Sequence, residues 1–204
     1  MGNFFSALGD IATNESAYRN AVIAAAVLLF AACGEHVAEK AGTINISLEA
    51  MMLAGSFSAA IGVHLTGSTW VGLLFAMLAG LIVAAIQANM SHRLPADQFV
   101  VGLVLNVLVL GLVGFLTGSI QPKSGVVRRV SVPVLSRIPL LGPALFDAPW
   151  VLYFIFPLVP LVWWLLYRTR WGLEIRAVGE DPNASDVSGL HVNRLRRQAI
   201  YFTG

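Results

Sequence analysis

Few residues of this chain are types that do chemistry, and their spacing is poor for catalysis. Glu35, His36 and Glu39 supply the carboxylate and imidazole donors that a metal ion takes. No second cluster completes a coordination sphere, and His64, His92 and His191 are scattered. Ser47, Ser56 and Ser58 have only His64 at helical spacing, with Glu49 as the nearest acid, so no activated nucleophile is assembled. No G-x-x-x-x-G-K-[ST] phosphate loop exists: Lys40 and Lys123 are the only lysines and neither follows a glycine. The chain therefore has no means of hydrolysing ATP by itself, and no catalytic residue, metal-ligand set or cofactor is assigned.

What remains is a set of polar residues in apolar surroundings. Asn45 and Glu49 are one helical turn apart at the mouth of one apolar run; Asp97 and Gln98 open another, and Asn106 lies about two turns further in. Polar groups are costly in hydrocarbon, so they face a bundle interior or a water-filled route. Asn45, Glu49, Gln98 and Asn106 are thus candidates for a solute pathway. The alternative is structural, with Asn106 bonding a neighbouring helix and Glu49 capping a helix start; Gln87 and Asn89 are read as structural.

The elements that must position these residues are membrane helices. The chain is 57% hydrophobic and 12% charged over 204 residues, with a mean hydropathy of +0.75, which places it in the membrane class. Five apolar stretches approach the ~20 residues that cross ~30 Å of hydrocarbon: residues 17–32, 48–65, 70–90, 99–117 and 150–167. They are continuous rather than alternating, which favours helices over a barrel. The expected fold is all-α, a polytopic bundle of five complete spans in one domain, residues 1–204. A final apolar run, Ala199 to Gly204, reads as the start of a sixth span and the chain as the front part of a longer protein. The single Cys33 excludes an intramolecular disulfide. Leu29 to Cys33 bears some likeness to a lipoprotein cleavage site, but no basic residue precedes Arg19, as a signal peptide requires. A net charge of +2 gives no reason to expect nucleic acid.

Counting Lys and Arg on alternating sides gives eight against five if the segment after Tyr167 is cytoplasmic, placing the amino terminus outside. Residues 119–149 carry five prolines among valines and leucines, which excludes one continuous helix and suggests an external cap at the membrane interface. Small residues recur at helical spacing: Ala54, Ser58 and Gly62 on the second span, Ala76 and Gly80 on the third, Gly114 and Gly118 on the fourth, all candidates for close helix packing. Residues 169–197 form a polar, glycine-punctuated segment after the last long span, read as a cytoplasmic docking element. Within it Asp181 can cap a short helix, Pro182 suits its first turn and Gly189 can end it.

Three blocks together carry a family resemblance. Residues 38–52, AEKAGTINISLEAMM, resemble the ER-x-G-x-x-N-I-x-L-E-G-M-M signature of permeases from bacterial ABC importers for simple sugars and nucleosides. Residues 94–106, LPADQFVVGLVLN, resemble their R-A-x-Q-x-[IV]-x-G-L-A-[IL]-N block, and residues 170–184, RWGLEIRAVGEDPNA, their cytoplasmic element. Departures are Ala50 for a usual glycine, Ser185 for a second alanine, and Pro95. The resemblance implies the fold of the second class of ABC importers in a bacterial inner membrane. It also implies a second permease, homologous or identical, two ATPase subunits, an extracytoplasmic solute-binding protein and surrounding membrane lipid. It implies ATPase coupling through Arg176, Gly179, Glu180, Pro182, Ala184 and Gly189, and alternating-access import of nucleosides, with pentoses or hexoses next. Rival readings are a branched-chain amino acid permease of the same fold, a metal-dependent membrane enzyme using Glu35, His36 and Glu39, and a non-transporting scaffold.

Overall fold

The computed structural model describes residues 14–94, 96–120, 122, 129–131, 145 and 147–204. Its helices are α1 (Glu15–Lys40), α2 (Leu48–Thr66), α3 (Thr69–His92), α4 (Gln98–Ile120), α5 (Ile155–Arg168), α6 (Arg170–Glu180), α7 (Pro182–Val187) and α8 (Val192–Thr203). Helices α1 to α4, and α5 with the 3-10 turn Trp150–Phe154 before it, are long and apolar enough to cross a membrane. The chain is a multi-pass helical membrane protein. The fifth span does not open as an α-helix, because proline supplies no backbone donor: Pro149 flanks its 3-10 start, and Pro157 and Pro160 lie in its first turns.

The described residues fall into two compact units, one from Met1–Phe30 and Val126–Leu158, the other from Ala31–Gly125 and Val159–Gly204. The first holds a feature an all-α expectation misses: strands β1 (Arg129–Ser131) and β2 (Asp147–Pro149) pair antiparallel, with Val130 opposite Ala148. Tyr153 donates its hydroxyl to the Val130 carbonyl at 2.9 Å, and Arg19 pairs with Asp147 at 3.4 Å. Most of the expected cap, including Pro133, Pro139 and Pro143, lies outside the described residues, as does Pro95.

In the second unit α2 and α3 form a tight antiparallel pair. Gly62 meets Gly72 so closely that a Cβ on Gly62 would lie 3.0 Å from the Gly72 Cα; a Cβ on Gly72 would lie 2.9 Å from the Ala59 carbonyl oxygen. Gly55 faces Ala76. The packing face of α2 is thus Gly55, Ala59 and Gly62, rotated from the Ala54–Ser58–Gly62 stripe expected. Ala54 and Ser58 instead line an apolar groove of about 310 Å³ shared with α3 and α4. On α4, a Cβ at Gly114 or Gly118 meets nothing within 4 Å among the described residues, so no helix uses that glycine pair here. Helix α8 is wedged between spans: Gly34 of α1 touches Thr203, and Gly80 of α3 touches Gly204.

Candidate functional site

The turn from Ala41 to Ser47, between α1 and α2, is the polar crossing point of the second unit. Helix α1 ends in a Schellman motif: Gly42 donates to the Glu39 carbonyl at 2.9 Å and Thr43 to the Ala38 carbonyl at 3.1 Å, with Gly42 at φ 69°. Glycine is needed there because other residues carry a steric penalty at positive φ. Beyond it Thr43, Asn45 and Ser47 are all buried, at 1%, 3% and 0% exposure, so each polar group must find a protein partner. Thr43 donates its hydroxyl to Gln98 Oε1 at 3.1 Å. Its contact with His92 Nε2 at 3.0 Å then makes the imidazole the donor, because a hydroxyl has one proton.

Asn45 uses its whole amide. Its Nδ2 donates to Thr203 Oγ1 at 2.6 Å and Met51 Sδ at 3.3 Å, while Oδ1 accepts from the Ser47 hydroxyl at 2.8 Å and the Ser47 amide at 3.2 Å. Its backbone N–H donates to Glu35 Oε1 at 3.0 Å. Asn106 clamps the other side of the turn, accepting from the Ala50 amide at 2.9 Å and donating to the Ile46 carbonyl at 3.0 Å. It thereby caps α2 from another helix, since Ser47, in the N-cap position, makes no side-chain cap. Gln98, Gly102 and Asn106 recur every fourth residue and so share one face of α4. Between the two polar residues, any side chain at Gly102 would collide with Ile46.

The segment after α5 is built as a corner and a rod. Thr169 caps α6, accepting from the Gly172 amide at 3.1 Å, and a Cβ at Gly172 would strike the Leu165 and Leu166 carbonyls. Helix α6 buries Gly172, Ile175 and Val178, which the three-residue spacing places on one face. Asp181 ends α6 and caps α7, accepting from the Asn183 and Ala184 amides at 3.0 Å each. Pro182 occupies the first turn and Gly189 follows the helix at φ 88°. Trp171 donates to Gln198 at 3.0 Å, and Arg196 Nε donates to the Ala41 carbonyl at 3.2 Å, tying α8 to both α6 and the crossing turn. Burial presses the Arg196 guanidinium below its ordinary pKa.

This arrangement of spans, polar turn and capped rod beyond the spans suits a transport subunit, and sequence similarity decides the family. Residues 18–204 match the family described as "Branched-chain amino acid transport system / permease component". The chain belongs to this permease family. It is 36% identical over 188 residues to a putative glucose ABC transporter permease protein of Haloferax volcanii, covering 90% of this chain and 57% of that one. It is 32% identical over 196 residues to a guanosine ABC transporter permease protein of Bacillus subtilis, covering 90% and 61%. A nucleoside ABC transporter permease protein of Lactococcus lactis is 30% identical over 197 residues, with 91% and 62% covered. The chain thus spans about three-fifths of the length of these relatives. No solved structure matches.

Within the permease, the three signature blocks come together in space. The first supplies the turn, the second supplies Gln98, Gly102 and Asn106 against it, and the third supplies Gly179, whose Cα lies against Gly42. Asn45, Gln98 and Asn106 therefore meet at one place, whereas Glu49 does not join them: it is exposed on the first turn of α2, and Asn45 precedes that helix. Gln87 and Asn89 bond neighbouring elements, Gln87 to the Gln98 carbonyl at 3.2 Å and Asn89 to the Tyr201 hydroxyl at 2.9 Å. Among the coupling candidates Glu180, Ala184 and Gly189 are exposed and Pro182 is half-buried. Arg176 is turned inward, its guanidinium 4.9 Å from the Tyr167 ring centre, a cation–π contact within the chain. Sequence reasoning missed Val187, 90% exposed on α7, and did not foresee the burial of Ser185, noted only as a departure from the family pattern. An apolar residue between Asp186 and Ser188 was the available signal for Val187. Among the described residues no three His, Cys, Asp or Glu side chains converge; Glu35 instead serves the Asn45 amide.

Proposed function

We propose that this permease is a membrane subunit of an ATP-driven importer that moves nucleosides, with simple sugars next, by alternating access. The observation that carries the reading is the α6–α7 segment. Helix α7, capped at Asp181, presents Ala184 and Val187 outside the spans, Glu180 ends α6 exposed beside it, and Gly179 of α6 abuts the crossing turn. On this reading two ATPase subunits grip α7, a second permease completes the pathway, and an extracytoplasmic binding protein delivers solute to the side bearing residues 119–149. Glu49 faces the route, and Asn45, Gln98 and Asn106 hold the turn at its edge. Coupled closure of the ATPases would tilt the spans about this turn, opening the bundle on alternate sides. The relatives named for guanosine, nucleosides and glucose support the solute class.

The test is uptake of radiolabelled guanosine, glucose and leucine by cells expressing the complete complex, with and without ATPase activity. ATP-dependent guanosine accumulation is the expected result. Accumulation of leucine alone would move the cargo to branched-chain amino acids, as the family description allows. No accumulation of any of the three, or a cysteine at Glu180 that never crosslinks to an ATPase, would overturn the importer reading.

A further inference from the structure

Helix α6 meets the crossing turn backbone to backbone, with no side chain between. At Gly179 a Cβ would collide with the Lys40 carbonyl oxygen and lie 2.9 Å from the Lys40 carbonyl carbon and 3.0 Å from the Gly42 nitrogen. At Gly42 a Cβ would lie 3.1 Å from the Gly179 Cα and 3.2 Å from Arg196 Nη2. Gly179 is closed to a side chain by backbone contact, while at Gly42 a side chain would be strained by the positive φ and fit only tightly. Arg196 of α8 fastens the pair from a third side through its bond to the Ala41 carbonyl. Flexible side chains absorb small displacements by changing rotamer, whereas touching backbones pass them on. Beyond the joint the turn has no slack either: Thr43, Asn45 and Ile46 are tied to α3, α4 and α8 within a few residues.

We propose that Gly42 and Gly179, fastened by Arg196, are positioning residues for coupling: the joint through which movement of α6–α7 is converted into movement of the α1–α2 turn and the spans bonded to it. The proposal rests on the importer reading above, and goes beyond it in assigning the transmission to one backbone contact rather than to the outer surface of α7. Gly179→Ala pushes the two backbones apart, and Arg196→Leu removes the fastening while leaving both glycines in place. Arg196→Lys keeps a donor within reach of Ala41.

The experiment measures guanosine and glucose taken up per ATP hydrolysed by the full chain, assembled with its second permease and ATPases in proteoliposomes. This ratio counts only assembled complexes, so a variant that merely folds less well lowers uptake and hydrolysis together. The expected result is a ratio at least tenfold below wild type for Gly179→Ala and for Arg196→Leu, and largely restored in Arg196→Lys. Gly111→Ala, where a Cβ meets nothing within 4 Å, should keep the wild-type ratio. An unchanged ratio in Arg196→Leu, or in a Gly179→Ala complex that still hydrolyses ATP, overturns the joint and leaves the importer reading standing. Absence of any ATPase in the wild-type complex overturns the importer reading itself, and the joint with it.

Discussion

Replacing Asn106 by alanine tests the claim that α4 caps α2. The substitution removes the acceptor of the Ala50 amide and the donor to the Ile46 carbonyl, bonds of 2.9 and 3.0 Å. Ala50 is 1% exposed, so water has no easy access to its freed N–H. Stranding a buried donor costs about 1–3 kcal/mol, and the half-buried Ile46 carbonyl, with a second lone pair, adds about 1 at the low end of that range. The sum is about 2–4 kcal/mol. For a chain of this size, that corresponds to a melting temperature lower by about 4–16 °C. The assay is thermal unfolding of detergent-purified protein, followed by hydrogen exchange at the start of α2. Loss of about 2 kcal/mol should raise exchange of the Ala50 amide about thirtyfold if opening there is local. A variant with an unshifted melting temperature and unchanged protection at Ala50 would refute the clamp. Asn106→Asp retains the acceptor but loses the donor, and should fall between wild type and alanine at the Ala50 amide.

Three further outcomes follow from the geometry. Asp181→Ala removes the acceptor of two amides at the head of α7 and should cost about 1 kcal/mol of local helix stability, read as faster exchange at Asn183 and Ala184 and weaker crosslinking from Glu180 to an ATPase. Val187→Asp, at a position 90% exposed, should leave the melting temperature within experimental error while reducing ATPase co-purification severalfold. Gly72→Val drives a side chain into Val63 and the Ala59 carbonyl and should destabilise by about 1–3 kcal/mol or more, whereas Gly118→Val, where a Cβ meets nothing within 4 Å, should unfold at the wild-type temperature.

Much of this protein follows from local rules. Long apolar runs in hydrocarbon form spanning helices, so the second, third and fourth spans were legible to within a few residues; the first runs on to Lys40, eight residues past the end of its apolar run, and the proline-bearing fifth keeps its bounds but opens as a 3-10 turn. The Asp181–Pro182 start of α7 and the glycine after it were also legible, because capping depends on residues one to three positions apart. What only the tertiary structure decided is which faces and which distant residues meet. Periodicity marked a small-residue stripe on α2 but could not choose between neighbouring phases, and the true face passes through Gly55 rather than Ala54. Counting along one helix paired Asn45 with Glu49, yet Asn45 lies before the helix and bonds Thr203, 158 residues away. Gly179, expected to belong to the outer rod, is set against Gly42 instead. Hydrophobic pattern reports the solvent a segment needs, whereas hydrogen-bond partners and backbone contacts depend on the relative placement of helices, which no single segment encodes.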